Sequence, residues 1–274
     1  MSSITQALSE FKQRIEKAIE TGGVEGKTSI IRSSDLINLI HEAVKYELVL
    51  HGVDEKLIFP PLCESKPEIK LAGFLKQKDQ DVCVVPRDYP KETTHIDWGP
   101  MAFQQKTDSY GFEYSTRILT INVRSQMSSI NKNSDTLFER TFAEALNLHM
   151  RYPDIVLGEV YLIPVYEYDD AEVKHNRVAF KQNKTDVEKY ISFFNSINMR
   201  KREGELYKYE RCTLLIVDFS KSQPLLYRDT ESLKRDGIIS ENFQVAYEPL
   251  AFDSFVQDIL HEYAPRYELS LLTK

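Results

Sequence analysis

The sequence predicts an α/β fold with a mixed central sheet flanked by helices. Two short runs, Arg117–Val123 and Val156–Val165, are apolar enough to be buried strands, and a long helical pattern lies between them. A third buried run, CTLLIVDFS (212–220), follows later. Helical periodicity alternates with these runs, as expected of a sheet covered by helices. With 274 residues, 42% of them hydrophobic, the chain has material for a sizeable core. Residues 1–274 are read as a single domain, with an N-terminal helical part (about 1–60) packed on the rest.

Along the chain, Ile4, Leu8, Phe11, Ile15 and Ile19 recur at helical spacing, and TGGVEGKTS (21–29) is expected to break that helix. Ser33, Ser34 and Asp35 offer capping chemistry for a second helix to about His51, with Leu36, Leu39, Ile40, Val44 and Leu48 as its apolar stripe. FPPLCESKP (59–67) is a link. Leu71–Val85 reads as a hairpin whose turn is KQKDQD (76–81), and 86–100 as a loop. A strand arm around Tyr110–Tyr114 leads into the strand Arg117–Val123. A helix over Ser134–Met150 and the strand Val156–Val165 follow. Asp169–Lys184 is expected to be an exposed loop, and Thr185–Ile197 a helix with Tyr190, Phe193 and Phe194 on one face.

The formal net charge of −7 (35 Lys and Arg against 42 Asp and Glu) argues against a surface coated for non-specific nucleic-acid binding. It leaves room for a local basic cleft. Three scattered cysteines, Cys63, Cys83 and Cys212, form no CxxC pair, which fits a reducing cytoplasm better than a disulfide framework or a zinc site. The N-terminus has no apolar h-region and no run approaches a membrane span, so a cytoplasmic protein without membrane partners is expected. GxSxG and GxxxxGK[ST] are absent, and TGGVEGKTS has the wrong spacing for a phosphate loop.

The remaining chemistry lies where strands end. Asp81 opens the strand after KDQ, Arg124 ends LTINVR, and Glu144 lies on the next helix between Phe142, Ala143, Ala145 and Leu146. A carboxylate in such an apolar setting needs a partner or a metal, because unpaired buried charge is costly. Each residue also has a plainer reading. Asp81 lies in a turn-like run and competes with Asp97 of HIDWG, and Arg124 is a natural ion-pair partner for Glu144 or Glu139. Glu47 suits a solvated helix face. His95 and His149 lack ligand spacing.

An aspartate opening a strand, a loop of about 40 residues, a strand ending in a basic residue (Asn122-Val123-Arg124) and a helix carboxylate (Arg140 to Glu144) resemble the PD-(D/E)xK nucleases. The similarity is to the type II restriction endonucleases whose second carboxylate sits on the helix, and it covers roughly 75–165. It implies a restriction-endonuclease-like fold and magnesium held by Asp81 and Glu144. It also implies hydrolysis of phosphodiester bonds in double-stranded DNA at a specific sequence, by a homodimer. Arg124 would stand where the family has lysine, and Gln126 resembles members with glutamine there. Arginine stays protonated in proteins and so stabilises charge without acting as a base. Ser128, Lys132, Asn133, Lys181, Arg200, Lys201 and Arg202 are the expected DNA contacts. The alternative is a catalytically inactive DNA-binding or assembly protein of the same fold.

Overall fold

The computed structural model describes residues 3–201 and 204–274. It opens with α1 (Ile4–Arg32) and α2 (Asp35–Leu50), then β1 (Ile58–Phe59), β2 (Ile69–Ala72), β3 (Gln77–Gln80) and β4 (Val82–Val84). The short β5 (Thr94–His95), β6 (Thr107–Asp108) and α3 (Phe112–Ser115) precede β7 (Leu119–Ser125), α4 (Ile130–His149) and β8 (Val156–Pro164). Next come β9 (Tyr166–Tyr168), α5 (Asp170–Val173), β10 (Phe180–Lys184) and α6 (Val187–Ile197). The chain closes with β11 (Arg211–Asp218), β12 (Leu225–Leu226), α7 (Thr230–Arg235) and α8 (Phe252–Tyr263).

The fold is α/β, with a mixed six-stranded sheet in the order β1-β4-β7-β8-β11-β12. The centre, β7-β8-β11, is parallel, and the flanking pairs are antiparallel. Parallel neighbours need crossovers, and α4 supplies the one between β7 and β8. Side chains alternate across the sheet. Ile121, Val123, Val160 and Leu162 pack on one face with Phe11 and Ile15 of α1, Ile40 and Val44 of α2, and Phe255 and Ile259 of α8. Leu157, Tyr161 and Ile163 pack on the other with Ala145 and Leu148 of α4 and Tyr190 and Phe194 of α6. At Gly158 a Cβ would lie 2.7 Å from Ile259 Cδ1 and 2.9 Å from Phe255 Cζ, so only glycine lets α8 sit this close.

Several elements differ from the sequence reading. KQKDQD is strand rather than turn: β3 pairs with β2, and the turn shifts to 73–76. Asn147 of α4 explains the shift, since its Oδ1 accepts from Leu75 N at 2.7 Å and its carbonyl accepts from Phe74 N at 2.7 Å. TGGVEGKTS breaks the helix only at Gly23 (φ 51°), after which α1 resumes. In place of a strand arm around Tyr110–Tyr114 there is the short helix α3, Phe112–Ser115. The 169–184 stretch holds α5 and a strand, β10, that pairs with β9. α4 begins at Ile130, earlier than expected, because the Glu167 carboxylate accepts from the N–H groups of Ser129 and Ile130, both at 3.0 Å. A carboxylate from a distant strand thus does the work of a local cap.

Glu210, fully buried just before β11, is a hub under the sheet. Its Oε1 accepts from Arg200 Nη1 (3.0 Å) and Arg266 Nη1 (2.9 Å), its Oε2 accepts from Leu157 N (2.8 Å), and His149 Nε2 lies 3.3 Å away. Burial pushes its carboxyl up, but His149, Arg266 and Arg200 outweigh it and hold it near about 2, below the ordinary 4.5. A depressed carboxyl stabilises the fold above its unfolded value and ceases to as the pH falls through its folded one. Glu210 therefore contributes fully above about pH 4.5, and that contribution is lost on acidification toward about pH 2. Glu210→Gln leaves two buried arginines without a counter-charge. It is expected to cost about 3–5 kcal/mol in urea unfolding at neutral pH, with the deficit shrinking in acid.

Candidate functional site

Because β4 runs antiparallel to β7, the start of β4 lies beside the C-terminal end of β7. Asp81, at the β3–β4 corner, accepts a hydrogen bond from Val123 N on Oδ2 at 2.8 Å. One residue on, Arg124 turns to the α4 side of the sheet. Its Nη1 donates to Thr141 Oγ1 at 3.0 Å and lies 3.3 Å from Glu159 Oε1, while its Nη2 pairs with Glu144. Thr141, Glu144, Ala145 and Leu148 share the buried face of α4, which is how a helical carboxylate comes to lie under the strand.

Lys78 of β3 completes the group. Its Nζ donates to Glu144 Oε2 at 2.8 Å and to Asn122 Oδ1 at 3.4 Å. Arg140, one turn before Glu144, lies 3.5 Å from the other carboxylate oxygen. Glu144 is therefore flanked by three cations. Glu159 of β8 pairs across the sheet with Asn122 and is fully buried, with its Oε1 3.3 Å from Arg124 Nη1. Burial pushes the Glu159 carboxyl up against the pull of Arg124 and Lys78. Burial, aided by Arg124, pulls the Lys78 ammonium down. Lys78, Asp81, Arg124 and Arg140 line one cleft of about 500 Å³, with Arg32 and Ser33 of the α1–α2 corner opposite them in the lining.

Asp81, Arg124 and Glu144 are thus brought together, whereas Gln126 is not. Its amide is consumed inside the fold: Oε1 accepts from Tyr190 Oη (2.6 Å) and Tyr161 Oη (3.2 Å), and Nε2 donates to Ile130 O (3.2 Å). Gln126 ties β7 to the start of α4. Asp97 is exposed beyond β5 and outside the cleft lining, so of the two strand-entry aspartates it is Asp81 that shares the cleft with Lys78 and Arg124, the partners of Glu144.

The expected DNA contacts separate. Ser128 and Asn133 line a hollow of about 370 Å³ next to the cleft, and Lys132 is exposed on the first turn of α4. Lys181 is paired with Glu167 (3.0 Å) and Asp170 (3.3 Å). Arg200 is buried on Glu210 and on Pro153 O, which commits its charge inside the fold. Lys201 is exposed beside it, and Arg202 lies outside the described residues.

Sequence reasoning missed Lys78, Asn122, Arg140 and Glu159 as members of the group. Lys78 was hidden because KQKDQD has turn composition, and the polar Gln80, fully buried in β3, is the one local sign of a strand. Glu159 was legible as the single charge inside VLGEVYLIP.

Magnesium takes hard oxygens, commonly one or two carboxylates with water and phosphate. Asp81 and Glu144 fit that donor set in kind. An ion at Glu144 has to displace at least one of its cationic contacts. Among the described residues no group of three or more His, Cys, Asp or Glu side chains is assembled for a metal, and no helix is long and apolar enough to cross a membrane. Comparison with protein-family models, curated proteins and solved structures finds no match for this chain.

The shared Glu144 carboxylate makes the group energetically coupled. Glu144→Gln should destabilise the fold by about 3 kcal/mol, because it strands partly buried cations. In a double-mutant cycle with Arg124→Met, the combined loss should fall short of the sum of the single losses by at least about 1 kcal/mol, read by denaturant unfolding.

Proposed function

We propose that the protein is a magnesium-dependent, sequence-specific endonuclease of double-stranded DNA with a restriction-endonuclease-like core, acting as a homodimer. The observation that carries this reading is the convergence of Lys78 of β3, Asp81 of the β3–β4 corner and Arg124 of β7 on one cleft, with Glu144 of α4 buried behind it and paired to Lys78 and Arg124. Phosphodiester hydrolysis asks for hard-oxygen ligands and fixed positive charge at one point, and this group has both. Two strands of opposite direction are cut most simply by two copies related by a two-fold axis.

Asp81 and Glu144 would hold the ion, which supplies Lewis acidity toward the scissile phosphate. Val123 N–H fixes the Asp81 carboxylate, so its oxygens need little reorganisation. In this reading Lys78 takes the part that the family pattern gives to a strand lysine. Its ammonium reaches Glu144 and Asn122 and is pulled toward neutrality by burial, so it can hold or release a proton beside the phosphate. Arg124 keeps its charge and is committed to Glu144, Glu159 and Thr141, which makes it a positioning residue.

A specific observation favours the second reading, a DNA-binding protein without cleavage: three cations already occupy the Glu144 carboxylate. The two readings part on unmethylated phage DNA incubated with and without magnesium. Discrete magnesium-dependent fragments are expected, with Asp81→Asn and Lys78→Ala each slowing cleavage by at least about 100-fold while the proteins stay folded. Intact DNA that is nevertheless bound at a specific sequence, in magnesium or manganese, would select the second reading.

A further inference from the structure

The cleft at Lys78 and Asp81 does not end there. It shares Ile31, Ser125 and Leu137 with the neighbouring hollow lined by Ser128, Asn133 and Thr136, so the two are continuous. One wall of the joined groove is α4 with the end of β7, and the other is the corner where α1 ends and α2 begins. Arg32, the last residue of α1, lies on that corner, exposed and with no ion-pair partner among the described residues. Arg140 lines the same cleft with its side chain 66% exposed. The floor between them is apolar, made of Ile31, Leu36, Ile37, Val123 and Leu137. The carboxylates nearby are Asp81, Glu144 and, at the start of α2, Asp35.

We infer that this groove is the path of a nucleic-acid backbone, and that Arg32 and Arg140 contact phosphates flanking the one held at Lys78. The inference rests on the nuclease reading and adds a strand-guiding wall that the resemblance to known nucleases does not cover. A groove with cations on opposite walls and an apolar floor suits a chain of alternating phosphates and sugars, because each arginine offers several donors to phosphate oxygens while the sugars lie on carbon. The wall is fixed. Ser33 Oγ donates to Ile30 O at 2.9 Å and accepts from Asp35 N at 3.2 Å, which locks the corner, and Leu36 and Ile40 anchor α2 in the core. Arg32 is thereby presented by a rigid support at the mouth of the cleft.

The test is binding of a fluorescein-labelled DNA duplex by the full chain in metal-free buffer, across a salt series, so that no turnover is needed. Each phosphate contact contributes about 0.9 to the slope of log K against log salt. Arg32→Ala should weaken low-salt binding by about tenfold and reduce the slope by about one. Arg32→Lys should recover the slope. Arg235→Ala, an exposed cation on α7 outside the groove, should change neither. Binding by Arg32→Ala equal to wild type would overturn this proposal and leave the nuclease reading standing. No binding by the wild-type protein would remove both. Equal loss in Arg32→Ala and Arg32→Lys, with unchanged thermal melting, would show that the charge makes no phosphate contact and would also overturn it.

Discussion

β7 and β8 run parallel and in register from Leu119 opposite Val156 to Ser125 opposite Leu162, and a parallel pair has to be closed by a crossover. α4 is that crossover, and the candidate site depends on it. The helix returns over the strand it has just left, so the residues on its buried face lie against the last residues of β7. Arg124 then has Thr141 and Glu144 above it and Glu159 beside it on β8. Without the parallel register these side chains would be separated by the length of the strand. Two remote contacts hold the helix in place: Glu167 at its start and Asn147, through the β2–β3 turn, near its end.

The charges at this point are balanced in number. Lys78, Arg124 and Arg140 face Asp81, Glu144 and Glu159, and pairing is what makes such burial tolerable. The balance also explains the proposed chemistry. In the proposed chemistry a phosphate would add negative charge and a divalent ion positive charge, so the group would meet both together with less penalty than either alone. Glu144 is the pivot of any such exchange, since it pairs with all three cations.

A second buried charge cluster, around Glu210, has a different character. Its carboxylate is satisfied by two arginines, a backbone N–H and a nearby histidine. It joins the start of β8 to the C-terminal segment and to Arg200, and it serves the fold. Arg200 stands in a basic run that looks like a nucleic-acid contact, yet its charge is spent inside the protein. Charge by itself does not distinguish the two roles; the partner that the fold brings to each arginine does.

The fold class was legible in the sequence because buried strands and amphipathic helices leave periodic apolar patterns, and those of β7, α4, β8, α6 and β11 are long enough to read. Asp81, Arg124 and Glu144 were legible for a related reason, as charges at strand ends or on a buried helix face. Lys78 and Asn122 were not, and Glu159 was legible only as a lone charge in an apolar strand, because a local pattern does not say which strand lies beside which. The β2–β3 hairpin is the clearest case. Its turn residues look like any polar run, and Asn147, distant in sequence, decides where the chain reverses. Gln126 is the converse: placed by sequence next to the site, it is claimed by Tyr161 and Tyr190, which only tertiary packing brings to it. Local sequence determined the elements, since their hydrogen bonds and apolar faces are short-range. Tertiary structure decided the site, since a carboxylate's partners are set by strand order and helix crossover.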